Sequence, residues 1–190
     1  MIIYSNTVSK FSEDVIAGSI VDIIEQNLRD NHIGTSDSER RSWRDSTRSM
    51  QLILNGSKIP GDVDVFIEYN VPFTSSRIDF CISGLDEMGK DTAIIIEMKG
   101  WGAKGLSKGK GEGTVHADFY GKDVLHPSYQ AWSYANYIMN FNSEVVDGQI
   151  DVIPCAYLYN LSASSGEVLI EDQSFDYYTS RARVFYSDSG

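Results

Sequence analysis

A mixed α/β domain is the fold class this chain predicts, from three observations: two stretches of helical period open it, three runs of strand period follow, and a proline-initiated helix and a further strand come after. Residues 19–30 place Ile20, Ile23, Ile24, Asn27 and Leu28 at helical spacing, and residues 39–54 do the same with Trp43, Met50, Ile53 and Leu54. After the turn signals Asn55-Gly56 and Pro60-Gly61 the period becomes two, with Val63, Val65, Ile67, Tyr69 and Val71 alternating with other residues. Pro72 to Ser76 turns the chain into Arg77–Ser83, and Gly84 to Lys90 turns it into Thr92–Lys99, a run dominated by isoleucine. Pro127 suits a first helical turn because the donor it lacks would be unpaired there, and Trp132, Ala135 and Met139 continue the helix to Asn142. A last strand, Ile150–Tyr159, carries Val152, Ile153, Ala156 and Leu158. The expected order is α-α-β-β-β-α-β, with Gly100 to Gly113 as a mobile glycine- and lysine-rich loop and 161–190 as a weakly patterned tail.

At 190 residues, 42% hydrophobic and 12% aromatic, the chain suits one domain with a sizeable core: a helical part over 1–56, a core over 62–160, and the tail. No run approaches the roughly 20 uncharged apolar residues of a membrane span, and the first twenty residues are polar where a signal peptide needs an apolar stretch, so a cytoplasmic location is expected. Cys81 and Cys155 sit in apolar runs and read as buried reduced thiols. His32, His116 and His126 lack the spacing to cysteines that a structural zinc site needs. A net charge of −11 argues against a general polyanion-binding surface, unless part of the acidity forms a metal site and the basic residues cluster.

Side chains two apart on a strand share a face, so Glu97 and Lys99 in IIIEMKG can converge on one bound ion and its water. A hairpin can bring Asp79, in SRIDFCISG, alongside them. Phosphodiester hydrolysis needs a hard cation held by carboxylates, which Asp79 and Glu97 can supply, and a group that orients water or neutralises developing charge, which suits Lys99. The main-chain carbonyl of Met98 is a further candidate ligand. The bland reading is a surface ion pair, which contributes little. Against it, Ala93 and three isoleucines precede Glu97, implying an interior strand where an ionised carboxylate is costly unless paired or metal-bound.

Ile78-Asp79 followed by Glu97-Met98-Lys99 resembles the bipartite motif of the PD-(D/E)XK nuclease superfamily. Gln130-Ala131-Trp132-Ser133-Tyr134 matches the Q-x-x-x-Y motif of its RecB and Cas4-like branch, with Gln130 and Tyr134 on one helical face. The runs MIIYSNTVSKF, RSW, IEYNVPFTSSRIDFCISG, IIIEMKGW and HPSYQAWSYA resemble the amino-terminal nuclease-like region of bacterial Schlafen-like helicase and ATPase proteins. The resemblance implies a restriction-endonuclease-like core, a central mixed sheet flanked by helices. It also implies Mg²⁺ or Mn²⁺ as cofactor, nucleic acid as substrate with DNA ahead of RNA, a helicase or ATPase as partner in repair or phage defence, and no membrane. Gln130 and Tyr134 would position the metal site and the substrate backbone.

Weaker candidates surround this set. Glu25 is either a helical metal ligand or part of a solvated face; Glu68 faces the site or solvent; Arg77 holds a phosphate oxygen or pairs with an acid. Lys104, Lys108 and Lys110 either reach phosphates from the loop or decorate a surface. Gly100-Trp-Gly102-Ala-Lys-Gly105 spells a dinucleotide-binding turn, but no helical period follows it, so a nucleotide cofactor is not expected. The alternative to a nuclease is an inactive module of the same fold that binds nucleic acid or a protein partner.

Overall fold

The computed structural model describes residues 1–71, 74 and 76–189, and the chain divides into two compact units, Met1–Ala93 and Ile94–Gly190. The architecture is mixed α/β. The first unit runs β1 (Ile2–Thr7), α1 (Val8–Ile16), α2 (Ile20–Asp30), α3 (Asp37–Gly56), β2 (Asp64–Asn70) and β3 (Arg77–Leu85). Strand β2 pairs antiparallel with β1 on one side, where Tyr4 faces Ile67, and with β3 on the other, where Ile67 faces Phe80.

Local chemistry fixes the helix starts. Thr7 caps α1 by accepting from the Lys10 amide, and Ser36 opens α3 with a capping box, its hydroxyl accepting from Glu39 N while the Glu39 carboxylate accepts from Ser36 N. The core of this unit gathers Ile24 and Leu28 of α2, Val65 and Ile67 of β2, and Ile78 and Phe80 of β3, with Phe11 of α1 edge-on to Phe80 at 5.3 Å. On α3, Trp43, Met50 and Leu54 are buried as expected, whereas Ile53 is 41% exposed. Of the turn expected over residues 72–76, Pro72, Phe73 and Ser75 lie outside the described residues. The next turn is built by Asp86, whose Oδ1 accepts from the amides of Met88 and Lys90.

Strand β4 (Asp91–Lys99) carries the chain into the second unit. There follow β5 (Leu106–Lys108), β6 (Thr114–Ala117), β7 (Lys122–Leu125), α4 (Pro127–Phe141), α5 (Ser143–Val146), β8 (Ile150–Leu158), α6 (Ala163–Leu169), α7 (Asp176–Thr179) and β9 (Arg183–Tyr186). Strand β8 lies between β4 and β9 and runs parallel to β9, with Ala156 opposite Val184. Strands β5, β6 and β7 form a separate antiparallel sheet. Trp101, Leu106, Val115, Leu158, Ile170 and Phe175 pack in one core.

The element order is therefore longer than α-α-β-β-β-α-β: β1 and α1 precede the first expected helix, and β5 to β7, α5 and the elements after β8 are additional. The stretch Gly100 to Gly113, expected as a loop throughout, contains β5. At Gly109 a side chain would meet the Thr114 backbone at 2.7 Å, so glycine is what lets the tight β5–β6 connection close. Among the described residues no helix is long and apolar enough to cross a membrane.

Candidate active site

In the second unit, the end of β4 carries Glu97, 2% exposed, and its Oε1 accepts from Lys99 Nζ at 2.6 Å. The two residues share a strand face, so period-two geometry alone brings them together. Neither is a surface pair: the Lys99 side chain is one-fifth exposed and its ammonium lies 5.7 Å from the Trp101 ring centroid. The backbone holds this strand end as well, because Lys99 O accepts from Tyr159 N, and Gly100 lets Tyr159 come so close that a side chain there would meet its hydroxyl at 2.5 Å. Met98 is buried beside them. On α4, Gln130 Nε2 donates to the Tyr134 hydroxyl at 3.3 Å, so the two residues of the expected helical face are joined directly.

The first unit holds a second acidic cluster. Asp79 is half-buried on β3, and its carboxylate is one of the groups acting on Glu68 of β2. Burial pushes the Glu68 carboxyl above its ordinary range, Asp79 and Glu39 push it further in the same direction, and Trp43 and Arg77 oppose them. Glu68 Oε1 accepts from Trp43 Nε1 at 2.8 Å, and Oε2 lies 3.0 Å from Arg77 Nη1. Glu68 also adopts φ +54°, a backbone conformation that bulky residues rarely accept. Pairing keeps the same register on both sides of it, Ile67 with Phe80 and Tyr69 with Ile78, so the irregularity is a local distortion without an inserted residue. A buried, repelled and strained carboxylate costs stability and persists only where its surroundings hold it. The sequence allows Glu68 to face either the site or solvent; the structure buries it.

The weaker candidates resolve differently. Glu25 is held by Arg40, by Arg29 at 3.6 Å and by the Thr35 hydroxyl at 3.2 Å. Arg77 pairs with acids, Glu68 and, at 3.6 Å, Glu39. Lys104 and Lys110 are exposed, the Lys110 amide donating to Asp123, and Lys108 lies 3.7 Å from Asp172. The dinucleotide-like glycines lead into strand β5 where such a turn needs a helix. Cys81 and Cys155 are buried free thiols, both pushed up to about 12 by burial. Trp43 and Glu39 were not among the expected site residues; the only signal for Glu39 was its capping-box spacing from Ser36.

No family model, no curated protein and no solved structure matches the chain.

One consequence concerns stability. Glu68→Gln keeps an acceptor for Trp43 and removes the charge that burial and Asp79 disfavour. Because the folded-state pKa of Glu68 is raised, its protonated form is favoured in the fold, and the ionised form destabilises as pH rises through that value. The variant is expected to melt above wild type at neutral pH. The difference should shrink as pH falls from 7 toward 4 and the Glu68 carboxyl takes up its proton. Thermal melts at the two pH values check this, and a lower Tm for the variant at pH 7 would refute it.

Proposed function

We propose that this protein hydrolyses phosphodiester bonds of nucleic acid, with DNA as the substrate class, in a reaction that depends on Mg²⁺ or Mn²⁺. The observation that carries the proposal is the buried Glu97 carboxylate bonded to the Lys99 ammonium at the end of β4, with Gln130 and Tyr134 joined on α4 of the same unit. The resemblance to PD-(D/E)XK nucleases supports the same chemistry.

The donor set suits a hard cation. Among the described residues no group of three or more His, Cys, Asp or Glu side chains is gathered to hold a metal ion. Mg²⁺ needs less than that, since it keeps several waters and takes one or two carboxylates plus substrate phosphates. Asp79 and Glu97 are the proposed ligands, with Glu68 next to Asp79 as a further carboxylate and the Met98 carbonyl as a backbone donor. When bound, the ion would polarise the phosphoryl group and lower the pKa of an attacking water. Lys99 then serves two ends: its ammonium holds the Glu97 carboxylate in place, and it offers a cation to charge building on the phosphoryl oxygens. Gln130 and Tyr134 present an amide and a hydroxyl fixed against each other, suited to orienting a backbone or a ligand carboxylate. A helicase or ATPase partner, in repair or phage defence, completes the proposal.

The charge of −11 favours one second reading, an inactive module of this fold that binds nucleic acid or a protein. Purified chain incubated with labelled single- and double-stranded DNA and RNA plus manganese separates the two. Cleavage by wild type that Lys99→Ala abolishes is expected. Equal persistence of substrate with both proteins would sink the proposal, and calorimetry showing no manganese binding would favour the inactive module.

A further inference from the structure

Sixteen basic residues are spread over 190 positions, yet four of them, Arg40, Arg41, Arg44 and Arg48, fall within nine residues of α3. From Arg40 to the end of that helix only Asp45 opposes them in charge. Arg40, Arg44 and Arg48 are spaced i, i+4 and i+8, so they stack along one side of the helix at intervals of about 6 Å. All three line a groove of about 570 Å³ in the first unit, together with Thr47 and Gln51 of α3 and Asp22 of α2.

The three arginines differ in what engages them. Arg40 is held by Glu25 and by Asp22, at 3.2 Å, which anchors one end of the row. Arg44 and Arg48 are exposed, and among the described residues neither forms an ion pair. The chain has 27 acidic residues, yet among the described residues the one carboxylate lining the groove, Asp22, pairs with Arg40, and none pairs with Arg44 or Arg48. The same helix reaches the acidic cluster, through Trp43 on Glu68 and Glu39 on Arg77.

We propose that Arg40, Arg44 and Arg48 form a ladder that binds the phosphate backbone of a nucleic-acid strand along this groove. Regularly spaced guanidinium groups match a polymer that repeats its charge; Arg44 and Arg48 can each grip a phosphate with two parallel N–H bonds, while Arg40, held by its carboxylates, fixes the end of the row. Such a ladder also explains how an acidic protein holds a polyanion: the attraction is concentrated in one helix while the rest of the surface repels. An acidic peptide fits less well, since its carboxylates project at irregular intervals from a flexible chain. This inference rests on the proposed action on nucleic acid and names the surface that holds the substrate.

The test uses the whole chain, a fluorescently labelled single-stranded DNA 20-mer, and EDTA to suppress cleavage, with anisotropy read over a salt series. Arg44→Gln/Arg48→Gln is expected to weaken binding at least tenfold at low salt and to flatten the slope of log K against log salt by about 1.4, the value for two lost phosphate contacts. Arg44→Lys/Arg48→Lys should restore most of that slope, and Arg41→Gln, outside the groove, should weaken binding much less than either. Identical affinity and slope in wild type and the Gln variant would overturn the ladder, as would an equal loss from Arg41→Gln alone. Competition by polyglutamate at the same charge concentration as unlabelled DNA would assign the groove to an acidic protein segment and overturn it too. The hydrolysis proposal fails separately: binding that depends on Arg44 and Arg48 without manganese-dependent cleavage sinks hydrolysis alone, and cleavage indifferent to both arginines sinks the ladder alone.

Discussion

Glu97→Gln is expected to lower manganese-dependent cleavage by roughly 10³-fold while leaving a folded protein. The amide has nearly the volume of the carboxylate and can still accept from the Lys99 ammonium, but it brings no charge to a metal ion. The loss should therefore appear in metal affinity as well as in rate, as a manganese titration that no longer saturates in the wild-type range. Cleavage at more than a tenth of the wild-type rate would remove Glu97 from the proposed ligands.

The pair makes a second demand that a surface ion pair would not. With Glu97 at 2% exposure, taking away the ammonium 2.6 Å from it removes compensation for a buried charge, and such losses cost about 3–5 kcal/mol. Lys99→Met should therefore destabilise by about 3 kcal/mol. Glu97→Gln/Lys99→Met, which removes both charges together, should recover most of that, because paired charges and apolar or neutral replacements are often nearly equivalent in a core. Both variants stay inactive. Denaturant titrations of wild type, each single variant and the double variant give the coupling directly, and additive losses would mean the pair is not a coupled buried unit.

Legibility in the sequence followed element length and the locality of the signal. The segments that became α2, α3, β2, β3, β4, α4 and β8 were long enough for a period to repeat, and their bounds shift by only a few residues. Strands β5, β6 and β7 have three or four residues each, too few for alternation to register, and they exist because they pair with one another around residues such as Val115 that enter the core. In β1 only Ile3 and Tyr4 are buried, and its pairing with β2 supplies what its own pattern lacks. Strand β9 likewise depends on β8. At the site, Glu97 with Lys99 and Gln130 with Tyr134 were readable because strand and helix periods alone decide those contacts. Glu68 was not, since a positive φ at glutamate has no sequence marker of the kind glycine or asparagine gives. The arginine ladder on α3 was hidden for another reason: its helix was identified by its apolar residues, and a net charge summed over the whole chain averages away a local row.

His126 should make the protein acid-sensitive, and its environment fixes the sign. It is fully buried at the start of α4, where its Nδ1 accepts from the Ser128 amide at 3.1 Å and caps the helix. Its Nε2 donates to the Ile170 carbonyl at 2.8 Å, and the ring stacks on Phe175 at 4.4 Å. The neutral ring satisfies both contacts, whereas a proton on Nδ1 would remove the acceptor that Ser128 uses. Burial pushes this imidazole down to about 4 from the ordinary 6.5, outweighing the opposing pull of the Ile170 carbonyl. A depressed pKa means that the unfolded chain binds the proton first, so stability is complete above about pH 6.5 and falls as pH drops toward 4. The loss amounts to about 3 kcal/mol over that window. His126→Asn keeps a capping acceptor but cannot titrate there, so its stability should lie below wild type at pH 7.5 and lose about 3 kcal/mol less on going to pH 4. Urea unfolding of the two proteins at both pH values isolates this residue from other titrating groups, which are common to both. Parallel stability curves would show that His126 is not held neutral by the fold.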